Sequence, residues 1–376
     1  MNTKIAVIGA GVSGITTGVL LQQLGYKVTI YSNELPLTSK QNPAFPSQFP
    51  SASIIPHSVF HSEIDTLFNS SQFLFSSLHN SNFSGLRIHE HYELFGYDTP
   101  DVTYTRYIEG FSKIEELDWS PQHPDIEIKS GWKFNSYFAD WNSYLPQLIK
   151  IFNGNNGQFI QQKVDLNSYE GISEDIVINC SGTGSHQLES EIKNPLILLG
   201  HLLKVKETPE LLSPNKNTVS FNFTPGIDTY SDSFKTPFDV YTYPRGKDWI
   251  LGGSRFKGTL DNEGKWVSHD ALSTIFPDQI ISLNADIINH SFGIDLKLYT
   301  NREFQQAYRY VRDTENGLRL EAEENSNKLV IHNYGHGGAG VTLSWGTAFK
   351  VSELISARTQ STRKNLDEIS ELLTIL

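Results

Sequence analysis

The chain has 376 residues, 38% hydrophobic, 12% aromatic and only 19% charged, which allows about two or three domains and excludes disorder, collagen and coiled coil. Thirty Lys and Arg against 42 Asp and Glu leave a net charge of −12, so the basic footprint of a nucleic-acid or anionic-membrane binder is missing. The single cysteine, Cys180, cannot form an internal disulfide and fits a reducing compartment.

In chain order, residues 4–8 are a β-branched-rich run suited to a buried strand, residues 12–24 carry helical spacing with Gly25 as a stop, and residues 26–31 read as a second strand. This predicts a βαβ unit with parallel strands. The apolar stretch 5–21 is broken by Gly9, Gly11, Gly14 and Gly18 and lacks a signal-peptide cleavage pattern. No other run reaches the ~18 apolar residues of a membrane helix, and the terminal Leu373-Thr374-Ile375-Leu376 is neither a peroxisomal nor an ER retrieval signal. The expectation is a cytoplasmic protein without membrane contact.

Residues 35–58, with prolines at 36, 43, 46, 50 and 56, read as loop. A helix is expected over 62–78 and strands over 86–94 and 103–108. A further helix is expected over 141–152, then strands over 158–164 and 175–180, the last ending in Asn179-Cys180-Ser181-Gly182. Residues 201–300 alternate short strands and turns, with 241–243 and 249–251 as a hairpin, followed by helical stretches at 270–276 and 279–288. The end of the chain predicts a strand over 328–333, a glycine loop, and a helix over about 342–357.

The segment Ile8-Gly9-Ala10-Gly11-Val12-Ser13-Gly14 is a G-x-G-x-x-G between a strand and a helix. Gly9 permits the tight turn, Gly11 the approach of a pyrophosphate to the backbone, and Gly14 the seating of helix on sheet. The phosphates would meet the free N–H groups of the helix N-terminus. The acidic residue expected after the second strand falls among Ser32, Asn33 and Glu34; Asn33 and Glu34 are both candidates for a ribose hydroxyl. This motif alone does not separate NAD from FAD. The second loop, Asn333-Tyr334-Gly335-His336-Gly337-Gly338-Ala339-Gly340-Val341-Thr342, could support a flat, partly anionic ring on backbone amides and a helix N-terminus, as a flavin requires.

These residues, together with YTYPRGKDWILGG at 241–253, AYRYVRD at 307–313, INCSG at 178–182 and GWKFNSYF at 131–138, resemble the D-amino-acid oxidase family of FAD-dependent amine oxidases, over most of the chain. The resemblance implies an α/β fold: a Rossmann-like FAD-binding domain from 1–50, 141–195 and 300–376, and a discontinuous α+β substrate domain with a mixed sheet from 51–140 and 196–299. It implies hydride transfer from the substrate Cα to flavin N5, an imine that hydrolyses to a 2-oxo acid and ammonia, and reoxidation by O2 or another acceptor. The substrate would be a small amino acid or amine bearing a carboxylate. The sequence leaves a homodimer open. Other readings are a same-fold dehydrogenase, a silent FAD-binding module and a nicotinamide dehydrogenase.

By the same resemblance, Arg312 is expected to clamp the substrate carboxylate with its planar fork, with Asp313 or Glu303 as structural partners in the alternative. Arg309, three residues earlier, would point to the other strand face. Tyr241 would bind the same carboxylate, and the backbone carbonyl of Gly338 the amine. Thr342 would touch the flavin pyrimidine edge; Lys163 and Val164 would lie by adenine, and Ser181 and Gly182 by the pyrophosphate or ribose. Thr38 and Ser39 would lie near the phosphates, and Ala52, Ser53 and Ile54 would pass the flavin ring. The second glycine loop contributes Gly335, Gly337, Gly338, Ala339, Gly340 and Val341.

The chain departs from the family pattern at Pro237, where a second tyrosine is usual, with Tyr230 as a candidate replacement. It departs again at Leu199-Gly200-His201, which lacks a positive charge, and before Pro56-His57. His89, Glu90 and His91 look like metal ligands without a third partner, so no metal is expected. Cys180 is expected as a small buried hydrophobe and His336 as structural.

Overall fold

The computed structural model describes residues 3–37, 41–55, 59–100, 103–190, 192–226, 240–269, 276–313, 315–325, 328–359 and 361–376. Thr38, Ser39, His57, Tyr230, Pro237 and nearly all of the helix expected over 270–276 lie outside them. Two compact units emerge. The first comprises Met1–Leu86, Trp141–Ile197 and Tyr308–Leu376, the second Arg87–Asp140 and Leu198–Ala307.

Along the chain the elements are β1 (Lys4–Ile8), α1 (Val12–Gln23), β2 (Lys27–Ser32), α2 (Ile64–Asn80), β3 (Leu86–Phe95), β4 (Ser112–Lys113), β5 (Ser130–Ala139), α3 (Trp141–Gly154), β6 (Gln158–Gln161) and β7 (Ile176–Asn179). There follow β8 (Leu196–Lys206), β9 (Val219–Thr224), β10 (Val240–Arg245), β11 (Asp248–Gly252), β12 (Phe256–Leu260), β13 (Trp266–Ser268) and α4 (Asp278–Phe292). Then come β14 (Arg302–Arg312), β15 (Arg319–Asn325), β16 (Lys328–Tyr334), α5 (Gly340–Arg358) and α6 (Leu366–Leu373).

The first unit is built on a six-stranded sheet of order β15-β16-β7-β1-β2-β6. β1 runs parallel to β2 and β7, and β16 and β6 extend the parallel core on its two sides. Only β15 is antiparallel, paired Arg319↔Tyr334 through Asn325↔Lys328. Strands buried on both faces read as continuous apolar runs, and β1 and β7 do: Ile5 to Ile8 and Ile176 to Ile178 are all 5% exposed or less. Helix α1 is buried from Val12 through Leu21, so it carries no polar face, as expected of a helix packed on several sides. It packs on α3 and α5.

The border expected at residue 50 is corrected by α2, which belongs with the first unit. Its buried face, including Leu67, Phe68, Leu74 and Phe75, packs on α5, and the Gly346 N–H donates to Ser71 Oγ at 2.8 Å. The strand expected over 103–108 is a 3-10 turn, Thr103–Tyr107; no described strand pairs with it, and an extended segment without a partner leaves its backbone groups unsatisfied.

The second unit holds a ten-stranded mixed sheet, in the order β13-β12-β8-β11-β10-β9-β3-β5-β4 with β14 also on β8. β3 and β9 are parallel, whereas β9-β10-β11-β8 is an antiparallel run. Helix α4 packs on β10 and β11, fixed by Thr242 Oγ1 donating to Asn284 Oδ1 at 2.7 Å and by Asn284 Nδ2 donating to the Gly252 carbonyl at 3.3 Å.

In the first unit's core, the Trp345 indole N–H donates to Tyr144 Oη at 2.9 Å, and both side chains are fully buried. Tyr144→Phe leaves that N–H without an acceptor, at a cost of about 1–3 kcal/mol. A lowered urea midpoint is expected; an unchanged midpoint would show that the indole has found another acceptor.

Candidate functional site

Three strand ends meet at one edge of the first unit's sheet. The Gly9 N–H donates to the Tyr31 carbonyl at 2.7 Å, and the Cys180 N–H donates to the Ile8 carbonyl at 2.9 Å. Gly9 turns at φ 108, and a Cβ there would lie 2.4 Å from the Cys180 carbonyl oxygen; at Gly14 it would lie 2.0 Å from the Gly9 oxygen. A side chain at either position would push α1 off the strand ends. Ligands of open α/β sheets bind outside such carboxyl ends, and there the first unit opens two clefts that share lining residues.

One cleft, of about 270 Å³, is lined by Ser32, Asn33, Glu34, Asn42, Lys163, Val164 and Ser181 among others. The other, of about 150 Å³, runs over Gly9, Gly11, Val12, Ser13, Ser47, Gly182, Tyr310, Gly335, His336, Gly337 and Gly340. Most residues expected to touch a dinucleotide thus line these two clefts.

The choice between Asn33 and Glu34 is narrowed by their contacts. The Asn33 carbonyl accepts from Gln161 Nε2 at 3.2 Å. Glu34 accepts from Asn42 through Oε1, while its Oε2 is buried without a partner. Tyr310 Oη and His336 Nε2 are likewise buried and unpartnered. Burial holds His336 down at about 4, with His61 as the lesser cause, so its ring is neutral at pH 7. These orphaned groups, the helix N-terminus and the glycine backbone fit an anionic dinucleotide with ribose hydroxyls.

Sequence reasoning missed the segment 41–49, which crosses this edge. The Pro43 carbonyl accepts from the Tyr308 N–H at 2.8 Å, the Ala44 carbonyl from Thr183 Oγ1 at 2.8 Å, and the Ser47 carbonyl from Trp141 Nε1 at 2.8 Å. Ser47 Oγ accepts from the Val12 N–H at 2.9 Å, so a hydroxyl stands directly over the α1 N-terminus. The Pro and Asn content predicted a loop; only long-range bonds fix where it lies.

Ala52, Ser53 and Ile54 do not line the clefts but are tied to the second glycine loop. Thr342 Oγ1 lies 3.2 Å from the Ser53 carbonyl and 3.0 Å from that of Ile55. Ala339 and Val341 are buried beside it, while Gly338 is exposed. The Cys180 thiol is pushed up to about 12 by burial, an inert group beside the loop.

Arg312 requires a correction. Its guanidinium Nε and Nη2 donate to the two oxygens of Glu189 at 3.2 and 3.1 Å, and Nη1 donates to the Asn316 and Gly317 carbonyls, both at 3.1 Å. Glu189 also accepts from the Tyr334 hydroxyl. Asp313 and Glu303, the anticipated partners, are not the ones: Asp313 caps its own turn through the N–H groups of Glu315 and Asn316. With φ 67 at Arg312 the strand alternation fails there, and the side chain is 8% exposed. The fork is occupied by an internal carboxylate, which removes it as a substrate clamp. Tyr308 and Tyr310 line the second cleft, whereas Arg309, between them and half-buried, alternates to the opposite face of β14.

Tyr241, in the second unit, lies in β10 with its ring stacked on Tyr243 at 4.5 Å and 10°. The ring packs across Gly252, where a Cβ would sit 2.2 Å from it, which explains the glycine pair facing it. His89 stacks on Phe138 at 4.3 Å, and His91 bonds Ser220 Oγ and Glu93 Oε1, each at 2.9 Å. Among the described residues no cluster of three or more His, Cys, Asp or Glu could hold a metal. None of the described helices is long and apolar enough to cross a membrane.

A family model described as FAD dependent oxidoreductase matches residues 84–354. A D-amino-acid oxidase of Rubrobacter xylanophilus is 25% identical over 94% of this chain and 96% of its own. A D-aspartate oxidase of Homo sapiens is 25% identical over 94% of each. Among solved structures, a glycine oxidase from Geobacillus kaustophilus superposes with a TM-score of 0.63 at 14% identity, over 98% of both chains. An L-proline dehydrogenase from P. horikoshii gives 0.64 at 13%, over 97% and 96%. The chain therefore belongs to the D-amino-acid oxidase family of FAD-dependent oxidoreductases. Its cofactor is FAD, and amino-acid oxidase-like chemistry follows at the level of the family.

Replacing Arg312 by Met leaves the buried Glu189 with only the longer ion pair to Arg319, at 3.9 Å, and up to about 3–5 kcal/mol of stability should be lost. A chemical denaturation series measures it. A variant with a wild-type midpoint but a raised KM for carboxylate substrates would restore the clamp.

Proposed function

We propose that the chain oxidises a D-amino acid, or a related primary or secondary amine bearing a carboxylate. The products are an imine, which hydrolyses to the 2-oxo acid and ammonia, or to the 2-oxo acid and a primary amine where the substrate amine is secondary, and H2O2 formed from O2. The observation that carries this reading is the likeness, along 94% of the chain, to proteins named for D-amino-acid and D-aspartate oxidation.

When bound, FAD supplies the hydride acceptor. Its pyrophosphate would be held by the Gly9–Gly14 loop, the α1 N-terminus and Ser47, and its adenosine end by Glu34, Lys163 and Val164. Ser181 and Gly182 would lie beside the pyrophosphate or ribose, and Thr342 with 52–54 would support the ring system. The family chemistry leaves the protein chiefly to orient the Cα–H bond. We assign the carboxylate fork to Arg309, the other arginine of the 307–313 segment, because a guanidinium matches a carboxylate and never loses its charge at working pH. Tyr241 keeps the role of hydroxyl partner to the same carboxylate. The exposed Gly338 is the position whose carbonyl would accept from the substrate amine, and holding that N–H fixes the face of Cα presented for oxidation.

Anaerobic bleaching of the flavin by a panel of D- and L-amino acids, glycine and sarcosine tests the substrate class. D-Amino acids should bleach it and air should restore the colour rapidly. Bleaching without recolouring would make the protein a dehydrogenase with another acceptor, and no bleaching by any amine would overturn the reading. Arg309→Ala should cut kcat/KM by the equivalent of about 2–5 kcal/mol, as when one partner of a desolvated charge pair is lost.

A further inference from the structure

Asn179, at the end of β7, is fully buried and faces two neighbours with opposite demands. On the loop side the Ser181 N–H lies 3.2 Å from Oδ1, Ser181 Oγ lies 2.8 Å away and Ser185 Oγ 3.3 Å. A backbone N–H only donates, so the amide oxygen must face the loop and the NH2 must face β16. There Nδ2 lies 3.3 Å from His332 Nδ1. Nδ1 is therefore an acceptor, and the ring proton belongs on Nε2, which lies 3.0 Å from Glu323 Oε1.

The result is a chain of fixed polarity from a buried imidazole, through a buried amide, to Ser181. That serine lines both dinucleotide clefts and shares a 2.6 Å hydrogen bond with Ser185 Oγ. The charged groups that face His332 are Glu323, Arg319 and Glu321 on β15. Burial, the largest effect, and Arg319 lower its pKa, while the carboxylates oppose them, and the net direction is down from the ordinary 6.5. His332 is thus neutral at pH 7.

We propose that His332 is a positioning residue for FAD: its Nε2–H tautomer holds the Asn179 amide, and through it the Ser181–Ser185 hydroxyl pair, in the orientation that binds the cofactor. A second proton on Nδ1 sets a donor against the Asn179 NH2. Relief comes from turning the amide, which then sets its NH2 against the Ser181 N–H. FAD affinity is fully present with His332 neutral and is lost as pH falls through its lowered folded pKa, so the effect is confined to acid solution.

The test is FAD titration of the full-length apoprotein at pH 7.5 and 5, read by quenching of flavin fluorescence, with the thermal midpoint of each apo variant taken alongside. For the wild type, Kd should rise at least fivefold at pH 5. Asn179→Asp offers a carboxylate that accepts from both the Ser181 N–H and a doubly protonated His332, so its Kd should be nearly the same at the two pH values. His332→Gln should bind FAD several-fold more weakly at pH 7.5 and without acid dependence, and it decides the matter should Asn179→Asp not fold. A wild-type Kd independent of pH overturns the proposal. So does an acid loss of equal size in the variants, which would assign it to another group such as His336, which lines one of the clefts.

Discussion

The first unit depends on how closely three strand ends approach. Gly9 is bonded to the end of β2, Ile8 to the start of the turn after β7, and the space beside Gly9 is filled by the Cys180 carbonyl at a distance no Cβ tolerates. That contact draws the carboxyl ends of β1, β2 and β7 to one edge. The loops that leave them, 9–14, 32–34 and 181–184, consequently line the same clefts. Function here follows from a backbone constraint: the glycine side chains are absent so that main-chain donors can reach a ligand.

Arg312 shows how a sound chemical rule can select the wrong residue. A guanidinium fork suits a substrate carboxylate and an internal one equally well, and the sequence places two arginines three residues apart. Alternation says that they lie on opposite faces, but not which face serves the substrate. The deciding partner, Glu189, is 123 positions away in the chain and ends a 3-10 turn with no recognisable pattern. Desolvating such a pair costs several kcal/mol per ion, repaid only when every donor is satisfied. The two carbonyls on Nη1 supply that satisfaction, and they hold the residue at a backbone angle that costs on the order of 1–3 kcal/mol.

What could be read from the sequence was whatever local chemistry dictates. The β1-α1-β2 unit follows from G-x-G-x-x-G between apolar runs, the β10-β11 hairpin from two aromatic runs around Gly246, and α4 from helical spacing over 279–288. β15 could not be read: Arg319-Leu320-Glu321-Ala322-Glu323-Glu324-Asn325 lacks the composition of a strand and is extended because β16 offers it an edge. Likewise, the hydroxyls expected near the phosphates, Thr38 and Ser39, lie outside the described residues, and among the described ones Ser47 is brought to the α1 N-terminus. Three side-chain and backbone bonds from distant segments place it, and no local signal encodes them.

A chain of net charge −12 that binds an anionic dinucleotide needs a recognition mode indifferent to total charge. Among the described residues lining the clefts, Lys163 is the only lysine or arginine. Attraction instead comes from oriented N–H groups, whose partial charges act within the first turn of a helix. In the proposed site Glu34 would add selectivity of the opposite sign, since a half-buried carboxylate accepts from ribose hydroxyls but repels an additional phosphate. A site held by hydrogen-bond polarity rather than by net charge has a particular weakness. It is insensitive to charges elsewhere on the surface, yet a single proton that turns an acceptor into a donor reverses its logic. Among the described groups joined to these clefts by hydrogen bonding, His332 sits where that reversal would be transmitted, through an amide whose two ends cannot be exchanged without loss.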